Sequence, residues 1–168
     1  RSNNGSTTRQ GNDSLVALTP VPSMMKLSPY VQGQSSISGV ENPIKLSSNE
    51  SSHGPSPRAL KAYQACSAQI NRYPDGSQRK LREAISKVHG LDADRIICGN
   101  GSEELILLAV RAYLQPGDEA LLSENGFIMA NIHAIAQGAE LLIAPEKSYR
   151  VDVDALLDLV TGHTRFCT

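Results

Sequence analysis

Short apolar runs that alternate with helical segments from residue 95 onward are the feature that most limits the fold of this chain. The apolar runs predict strands at 95–98, 119–123 and 139–144, and a further strand from Arg165. Helices are predicted between them, near 102–114, 126–137 and 152–160. Short, continuously apolar strands separated by helices favour an α/β fold of three layers (α/β/α), in which helices cover both faces of a mostly parallel sheet.

Two glycines, Gly99 and Gly101, lie between the first of these strands and the helix that follows it. Glycines let the backbone approach a ligand closely, and the first amides of a helix lack intrahelical partners and lie at the positive end of its dipole. The turn therefore predicts a phosphate-binding site. A simpler interpretation is a tight turn with Ser102 as the helix N-cap, in which Glu103 and Glu104 already complement the dipole. The turn alone leaves both interpretations open.

Two amphipathic helices are predicted before this series. Ser56 is a good N-cap and Pro57 suits the first helical position, so we expect a helix to begin there. Its predicted apolar face consists of Ala59, Leu60, Tyr63, Cys66 and Ile70. After a turn at residues 73–76, a second helix ends at Gly90 and carries apolar residues at helical spacing, namely Leu81, Ala84, Ile85 and Val88.

The sequence divides the chain into three parts. Residues 1–25 are polar and lack a periodic apolar pattern, which predicts a disordered tail. Residues 26–94 are predicted to form an N-terminal arm and helices, and residues 95–168 an incomplete α/β domain. Because the chain begins with Arg1 and ends within a predicted strand, we expect it to be part of a longer protein.

The composition argues against several classes of protein. A net charge of −1 gives no basic excess for nucleic-acid binding, and the longest apolar run, near residues 102–114, is too short and too charged to cross a membrane. Cys66, Cys98 and Cys167 include no close pair, and the four histidines show no metal-ligand spacing. We therefore expect neither a disulfide framework nor a metal site, and a reducing, cytoplasmic setting.

Three ligand classes are considered for the glycine turn. A Walker-type loop is excluded, because neither glycine leads to the lysine that such a loop requires. A dinucleotide-binding module stays open: Glu104 replaces its third glycine, but Glu124 lies about where a ribose-binding acid is expected. Pyridoxal 5′-phosphate requires a phosphate cradle and a side chain that stacks on its ring. Residues 101–103 are the candidate cradle, and Phe127, after the next predicted strand, is the candidate for stacking.

Four stretches along residues 26–168 resemble, in order and spacing, the histidinol-phosphate aminotransferase family of fold-type I pyridoxal-phosphate enzymes. They are Leu27-Ser28-Pro29-Tyr30, Ile44-Lys45-Leu46-Ser47-Ser48-Asn49-Glu50, Asn71-Arg72-Tyr73-Pro74-Asp75-Gly76 and Ile97-Cys98-Gly99-Asn100-Gly101-Ser102-Glu103-Glu104. The resemblance implies that residues 95–168 are an incomplete pyridoxal-phosphate-binding large domain. It also implies a homodimer that transfers an amino group between L-histidinol phosphate and 2-oxoglutarate in histidine biosynthesis.

The resemblance further implies roles for single residues in cofactor binding. The stretch at Gly101, Ser102 and Glu103 corresponds to the cradle whose backbone amides bind the cofactor phosphate, and Phe127 takes the place of the aromatic residue that stacks on the pyridine ring. Tyr73 matches a tyrosine that reaches the phosphate of the neighbouring subunit, which requires a homodimer.

Two further residues are implied near the substrate: Tyr30, which acts across the dimer, and Asn49. None of the six lysines stands in a context that matches the catalytic lysine of the family. No catalytic residue is therefore assigned within this chain, and we expect the chain by itself to be inactive. A dinucleotide-binding module and a non-catalytic descendant of an aminotransferase are the alternatives.

Overall fold

The computed structural model describes residues 18–168, so the predicted disordered tail lies outside the described residues as far as residue 17. Five α-helices are formed: α1 (Pro57–Cys66), α2 (Arg79–His89), α3 (Ser102–Tyr113), α4 (Ile128–Gln137) and α5 (Val153–Asp158). The strands are β1 (Glu119–Ser123), β2 (Glu140–Ala144), β3 (Glu146–Lys147), β4 (Arg150–Val151) and β5 (Thr164–Cys167). Short 3₁₀ turns occur at Met24–Lys26, Ser67–Gln69 and Ala93–Arg95.

The main sheet has the strand order β2-β1-β5, and both pairs of neighbours are parallel. β1 and β2 are in continuous register from Glu119 opposite Glu140 to Ser123 opposite Ala144. The predicted α/β architecture with a parallel sheet is thereby confirmed. β3 and β4, which the sequence analysis did not predict, form a separate antiparallel hairpin.

β1 is the central strand and forms the middle of the core. Leu121 and Leu122 are almost completely buried, because the strand has a neighbour on each side and helices pack against it. The buried cluster between sheet and helices consists of Val110, Leu114, Ala120 and Ala134, with Ile106, Ala139, Leu141 and Phe166 packed against it. Burial of this apolar surface provides the main driving force for folding of the region.

The predicted strand at 95–98 is wrong. A 3₁₀ turn ends at Arg95, and the extended backbone that follows forms no strand ladder within the described part of the chain. Ile97 is 77% exposed, so its side chain does not enter the core. Apolar β-branched residues favour a strand only where a neighbouring strand supplies hydrogen bonds, and here none lies beside them.

The two predicted helices before this segment form, with the predicted N-cap of α1 and the predicted end of α2. No other element covers α1 within the described part of the chain. The Ser56 side chain accepts a hydrogen bond from the Ala59 amide at 3.1 Å, and α2 ends at Gly90, whose φ of 66° a glycine adopts without strain. α1 ends at Cys66, so Ile70 lies beyond the helix. Residues 46–81 are all exposed, which leaves the apolar face of α1 without a covering element in the described chain.

Candidate functional site

The turn before α3 has the geometry of an open anion cradle. Gly101 is the N-cap, with φ 86° and ψ 174°, a conformation that is essentially restricted to glycine. Ser102 is therefore the first helical residue, and the alternative interpretation in which it is the N-cap is wrong. Apart from its two chain neighbours, no described residue has an atom within 4 Å of the position that a Cβ on Gly101 would occupy. Space next to the positive end of α3 is thus open to a ligand.

The first backbone amides of α3 are available for such a ligand. No side chain caps this helix, and among the described residues the amides of Ser102 and Glu103 find no hydrogen-bond acceptor. Exposed amides at a helix N-terminus attract phosphate through both hydrogen bonding and the dipole. These are the residues at which the sequence analysis expects a phosphate cradle.

Glu104 does not occupy the cradle, because its side chain turns back onto the preceding turn. Its Oε2 accepts from the backbone amide of Asn100 at 2.6 Å and from Asn100 Nδ2 at 3.3 Å. A Cβ on Gly99 would lie 2.7 Å from the same oxygen, so a side chain there would push the Glu104 carboxylate away from the turn. Glu104 therefore fixes the turn, a role that sequence reasoning missed because it considered this residue only as a charge on the helix dipole and as the replacement of a third glycine.

Glu103 turns its carboxylate towards α4. Its Oε1 lies 3.8 Å from Nε2 of His133, a nitrogen that is buried and has no hydrogen-bond partner within the described chain. The Glu103 amide thus stays available while the negative side chain points to a neighbouring helix. His133 was not singled out from the sequence; its only signal is a polar residue on the face of α4 that also carries the buried residues Ala130 and Ala134.

The segment between β1 and α4 is held by a network around Glu146. Oε1 of Glu146 accepts from the Ser123 hydroxyl and from the Asn125 amide at 3.1 Å, and Oε2 accepts from Asn125 Nδ2 at 3.0 Å. The hydrogen bond from Ser123, followed by those from Asn125, lowers the pKa of this carboxyl below its ordinary value. Sequence reasoning missed Glu146, although it lies two residues after β2, at the carboxyl end of the sheet, where ligand-site residues are found in such folds.

Phe127 follows this network as the N-cap residue of α4, and its side chain is 53% exposed. Next to it, Ile128 and Asn131 line a cleft of about 500 Å³ together with Tyr30 of the N-terminal arm. Ser23 ties the arm to α4 by donating to the Ala136 carbonyl at 2.9 Å. The structure thus brings Tyr30 to the start of α4 within one chain; its action across a dimer stays a prediction.

Tyr73 and Asn49 are not brought to the cradle. Both lie in the stretch 46–81, which is exposed throughout, and the Tyr73 side chain is fully exposed. Glu124, the candidate ribose-binding acid of the dinucleotide interpretation, accepts from the Glu146 amide at 3.4 Å. That contact gives Glu124 a place in the loop network, and the structure offers no support for a ribose site there.

Three structural observations on residues 18–168 concern metal binding, membrane spans and cysteines. Within them, no group of three or more histidine, cysteine, aspartate or glutamate side chains is placed to hold a metal ion. No helix in the same residues combines the length and the apolar character that a membrane span needs. Cys66, Cys98 and Cys167 are free thiols.

Comparison with known proteins relates this geometry to one family. The sequence profile described as "Aminotransferase class I and II" matches residues 41–166. Histidinol-phosphate aminotransferase of Maricaulis maris is 45% identical over 150 residues, which cover 89% of this chain and 41% of that protein. The enzyme of the same name from Rhodospirillum rubrum is 49% identical over 146 residues, 87% of this chain and 40% of that protein. The chain thus spans about two fifths of the length of these relatives.

Solved structures agree. The chain is similar to the crystal structure of histidinol-phosphate aminotransferase from Sinorhizobium meliloti in complex with pyridoxal-5′-phosphate, with a TM-score of 0.64 and 28% identity over 66% of this chain and 30% of that one. N-succinyldiaminopimelate aminotransferase from Mycobacterium tuberculosis has a TM-score of 0.57 and 27% identity, over 67% of this chain and 33% of that one.

Proposed function

This chain belongs to the class I and II aminotransferase family, and we propose that it is the phosphate-binding part of a histidinol-phosphate aminotransferase. The reaction is the transfer of an amino group between L-histidinol phosphate and 2-oxoglutarate, in histidine biosynthesis. Identities of 45–49% to proteins that carry this name support the substrate assignment. The family membership argues against the dinucleotide-binding alternative.

The observation that carries the proposal is the uncapped N-terminus of α3 beside Gly101. The amides of Ser102 and Glu103 would hold the phosphate of pyridoxal 5′-phosphate, and the glycine provides the room that a side chain would fill. Phe127, half-exposed at the start of α4, would stack on the pyridine ring. When bound, this cofactor supplies the electron sink that amino-group transfer requires.

The residues from the N-terminal half are proposed to act in a homodimer. Full exposure of Tyr73 is compatible with a hydroxyl that reaches the phosphate bound by a second subunit. The uncovered apolar face of α1 provides surface that a second copy could bury. Tyr30 and Asn49 are proposed to lie near the substrate, and the assembly to act in the cytoplasm.

We propose that the 168-residue chain binds the cofactor without catalysing transamination. Two of its six lysines are engaged in ion pairs, Lys45 with Glu50 at 2.6 Å and Lys147 with Asp152 at 2.5 Å. All six lack the sequence context of the catalytic lysine of the family. The test is an assay of this chain alone with histidinol phosphate and 2-oxoglutarate. Formation of glutamate in that assay would contradict this part of the proposal.

The binding test uses pyridoxamine 5′-phosphate, whose amino group cannot condense with surface lysines as an aldehyde would. We expect it to bind at least about tenfold more tightly than pyridoxamine, since one charge-assisted hydrogen bond to phosphate is worth that factor or more. NAD serves as the comparison ligand and should not compete. Equal affinity for the two amines, or competition by NAD, would overturn the assignment.

A further inference from the structure

Glu146 connects the hairpin after β2 to the segment 124–127, which we call the β1–α4 loop. We propose that Glu146 is a positioning residue, which holds this loop in the shape that presents Phe127 to the cofactor ring. The inference rests on the proposed function, because it assumes that Phe127 stacks on a bound ligand.

The carboxylate takes hydrogen bonds from the residues that begin the loop. Ser123, at the end of β1, and both the amide and the side chain of Asn125 donate to its two oxygens. Among the described residues, no cationic side chain lies within ion-pair distance of Glu146. Its negative charge is therefore stabilised by these hydrogen-bond donors. Hydrogen bonds to an ionised acceptor are about twice as strong as neutral ones. Both carboxylate oxygens are therefore committed to this loop.

The loop itself is a tight turn that leaves little freedom to the next residue. The Gly126 amide donates to the Ser123 carbonyl at 3.0 Å, and a Cβ on Gly126 would lie 3.1 Å from that oxygen. Phe127 follows directly, and the Ala130 amide donates to its carbonyl at 3.0 Å. Because about half of the Phe127 side chain is exposed, packing alone does not fix it, and the loop backbone sets its direction.

Glu146 is held in place from the other side by the hairpin. It pairs with Val151 in the β3–β4 ladder, and an ion pair of 2.5 Å joins Lys147 of β3 to Asp152, which follows β4. The contacts with the loop are also reciprocal: the Glu124 amide donates to the Ala144 carbonyl at 3.0 Å, and the Glu146 amide to the Glu124 carboxylate at 3.4 Å. The β3–β4 hairpin forms no strand pairing with the main sheet, yet through these contacts it holds the β1–α4 loop of the candidate site in place.

The experiment compares Glu146→Ala with Glu140→Ala in the 168-residue chain. Glu140 is an exposed carboxylate on β2, and within residues 18–168 its side chain accepts no hydrogen bond, so its removal makes the same charge change without touching the loop. In the ligand-free chain, we expect amide hydrogen exchange at Asn125 and Gly126 to accelerate by about tenfold or more in Glu146→Ala and to stay unchanged in the control.

The second readout is the affinity for pyridoxamine 5′-phosphate. It should fall by about threefold to tenfold in Glu146→Ala and by less than about twofold in the control, as expected for loss of pre-organisation. Glu146→Gln keeps an oxygen for Ser123 and the Asn125 amide but no longer accepts from Asn125 Nδ2. Both the acceleration of exchange and the loss of affinity should therefore be smaller in Glu146→Gln than in Glu146→Ala. Glu146→Gln also provides the test if the alanine variant fails to fold.

The outcomes separate the two proposals. If the unmodified chain does not bind pyridoxamine 5′-phosphate, the proposed function fails, whereas hydrogen exchange still reports whether Glu146 holds the loop. If the unmodified chain binds and the Glu146 variants retain its affinity, the positioning role is overturned, even where exchange has accelerated. Equal exchange rates in the Glu146 variants and the control overturn it as well.

Discussion

The region from α3 to β5 and the stretch 46–81 use the same local signals but reach opposite degrees of burial. In the first region, Val110, Ala120 and Ala134 are fully buried between a parallel sheet and its helices. In the second, α1 has a proper N-cap and a proline at its first position, yet no residue of the stretch is buried. Capping and periodicity therefore determine where a helix forms, whereas burial depends on which elements surround it.

The same contrast divides the candidate site. The cradle residues and Phe127 are positioned by packed elements of the chain itself, through α3, β1 and the Glu146 network. Tyr73 and Asn49 lie in the exposed stretch, away from these packed elements, and the role proposed for Tyr73 requires a second subunit. The proposed cofactor site is thus built from packed elements of this chain, whereas the proposed role of Tyr73 depends on assembly with a second subunit.

The largest expected effect comes from matched leucine truncations in the two regions. Leu121→Ala removes a side chain that is 1% exposed in the central strand and should lower the free energy of unfolding by about 2–5 kcal/mol. Leu60→Ala, at a residue of α1 that is 45% exposed, should change this free energy by no more than about 0.5 kcal/mol in the monomer. Chemical denaturation at low protein concentration measures both values. Similar losses for the two variants would remove the distinction between the regions.

A smaller effect is expected from a pair of glycine substitutions. Gly101→Ala forces a β-carbon onto a backbone with φ 86° and should cost about 1–3 kcal/mol, besides weakening phosphate binding. Gly76→Ala, in the exposed stretch, has no positive φ and meets no atom within 4 Å, so it should be close to neutral. Denaturation and pyridoxamine 5′-phosphate titration of both variants provide the check. An unchanged Gly101→Ala protein would show that the turn does not require glycine.

The smallest expected effect is a dependence of stability on pH. The pKa of Asp152, beside Lys147, and that of Glu146 are lowered. Their contribution to stability is present above the ordinary carboxyl pKa and is lost as the pH falls through the lower folded values. The pKa of Lys147 is raised above 10.5 by Asp152, so its contribution is complete below that pH and is lost as the pH rises through the folded value.

In the exposed stretch, Asp75 has a lowered pKa because Ser77 donates to it. Its protonation should affect only the local turn, because no buried residue depends on it. NMR titration of the carboxyl groups, with Asp152→Asn as the control for the ion pair, resolves these steps. Loss of the sheet when Asp75 alone is protonated would contradict the division into two regions.

The sequence predicts those features that depend on local chemistry. β1 forms at 119–123 as predicted, α2 ends at Gly90, and Ser56 caps α1. The predicted strand at 95–98 is wrong because a strand needs a neighbour, which apolar character does not reveal. The β3–β4 hairpin escapes prediction because strands of two residues have no readable period.

The site shows the same limit. The glycine turn before α3 can be predicted because its glycines, its polar residues and its helix are contiguous. The role of Glu146 depends on donors that are 21 and 23 residues away in the sequence, and their proximity follows only from the parallel pairing of β1 with β2. The contact between Glu103 and His133 likewise exists only because α3 and α4 pack together.

The central claim is that the first amides of α3 hold the phosphate of pyridoxal 5′-phosphate. Titration of the ¹⁵N-labelled chain with pyridoxamine 5′-phosphate, followed by amide chemical shifts, tests it most directly. We expect the amide resonances of Ser102 and Glu103 to show the largest chemical-shift changes, in proportion to occupancy. Pyridoxamine should leave these two resonances unchanged. Saturable binding that shifts amide resonances of other residues, while those of Ser102 and Glu103 stay unchanged, would contradict the claim.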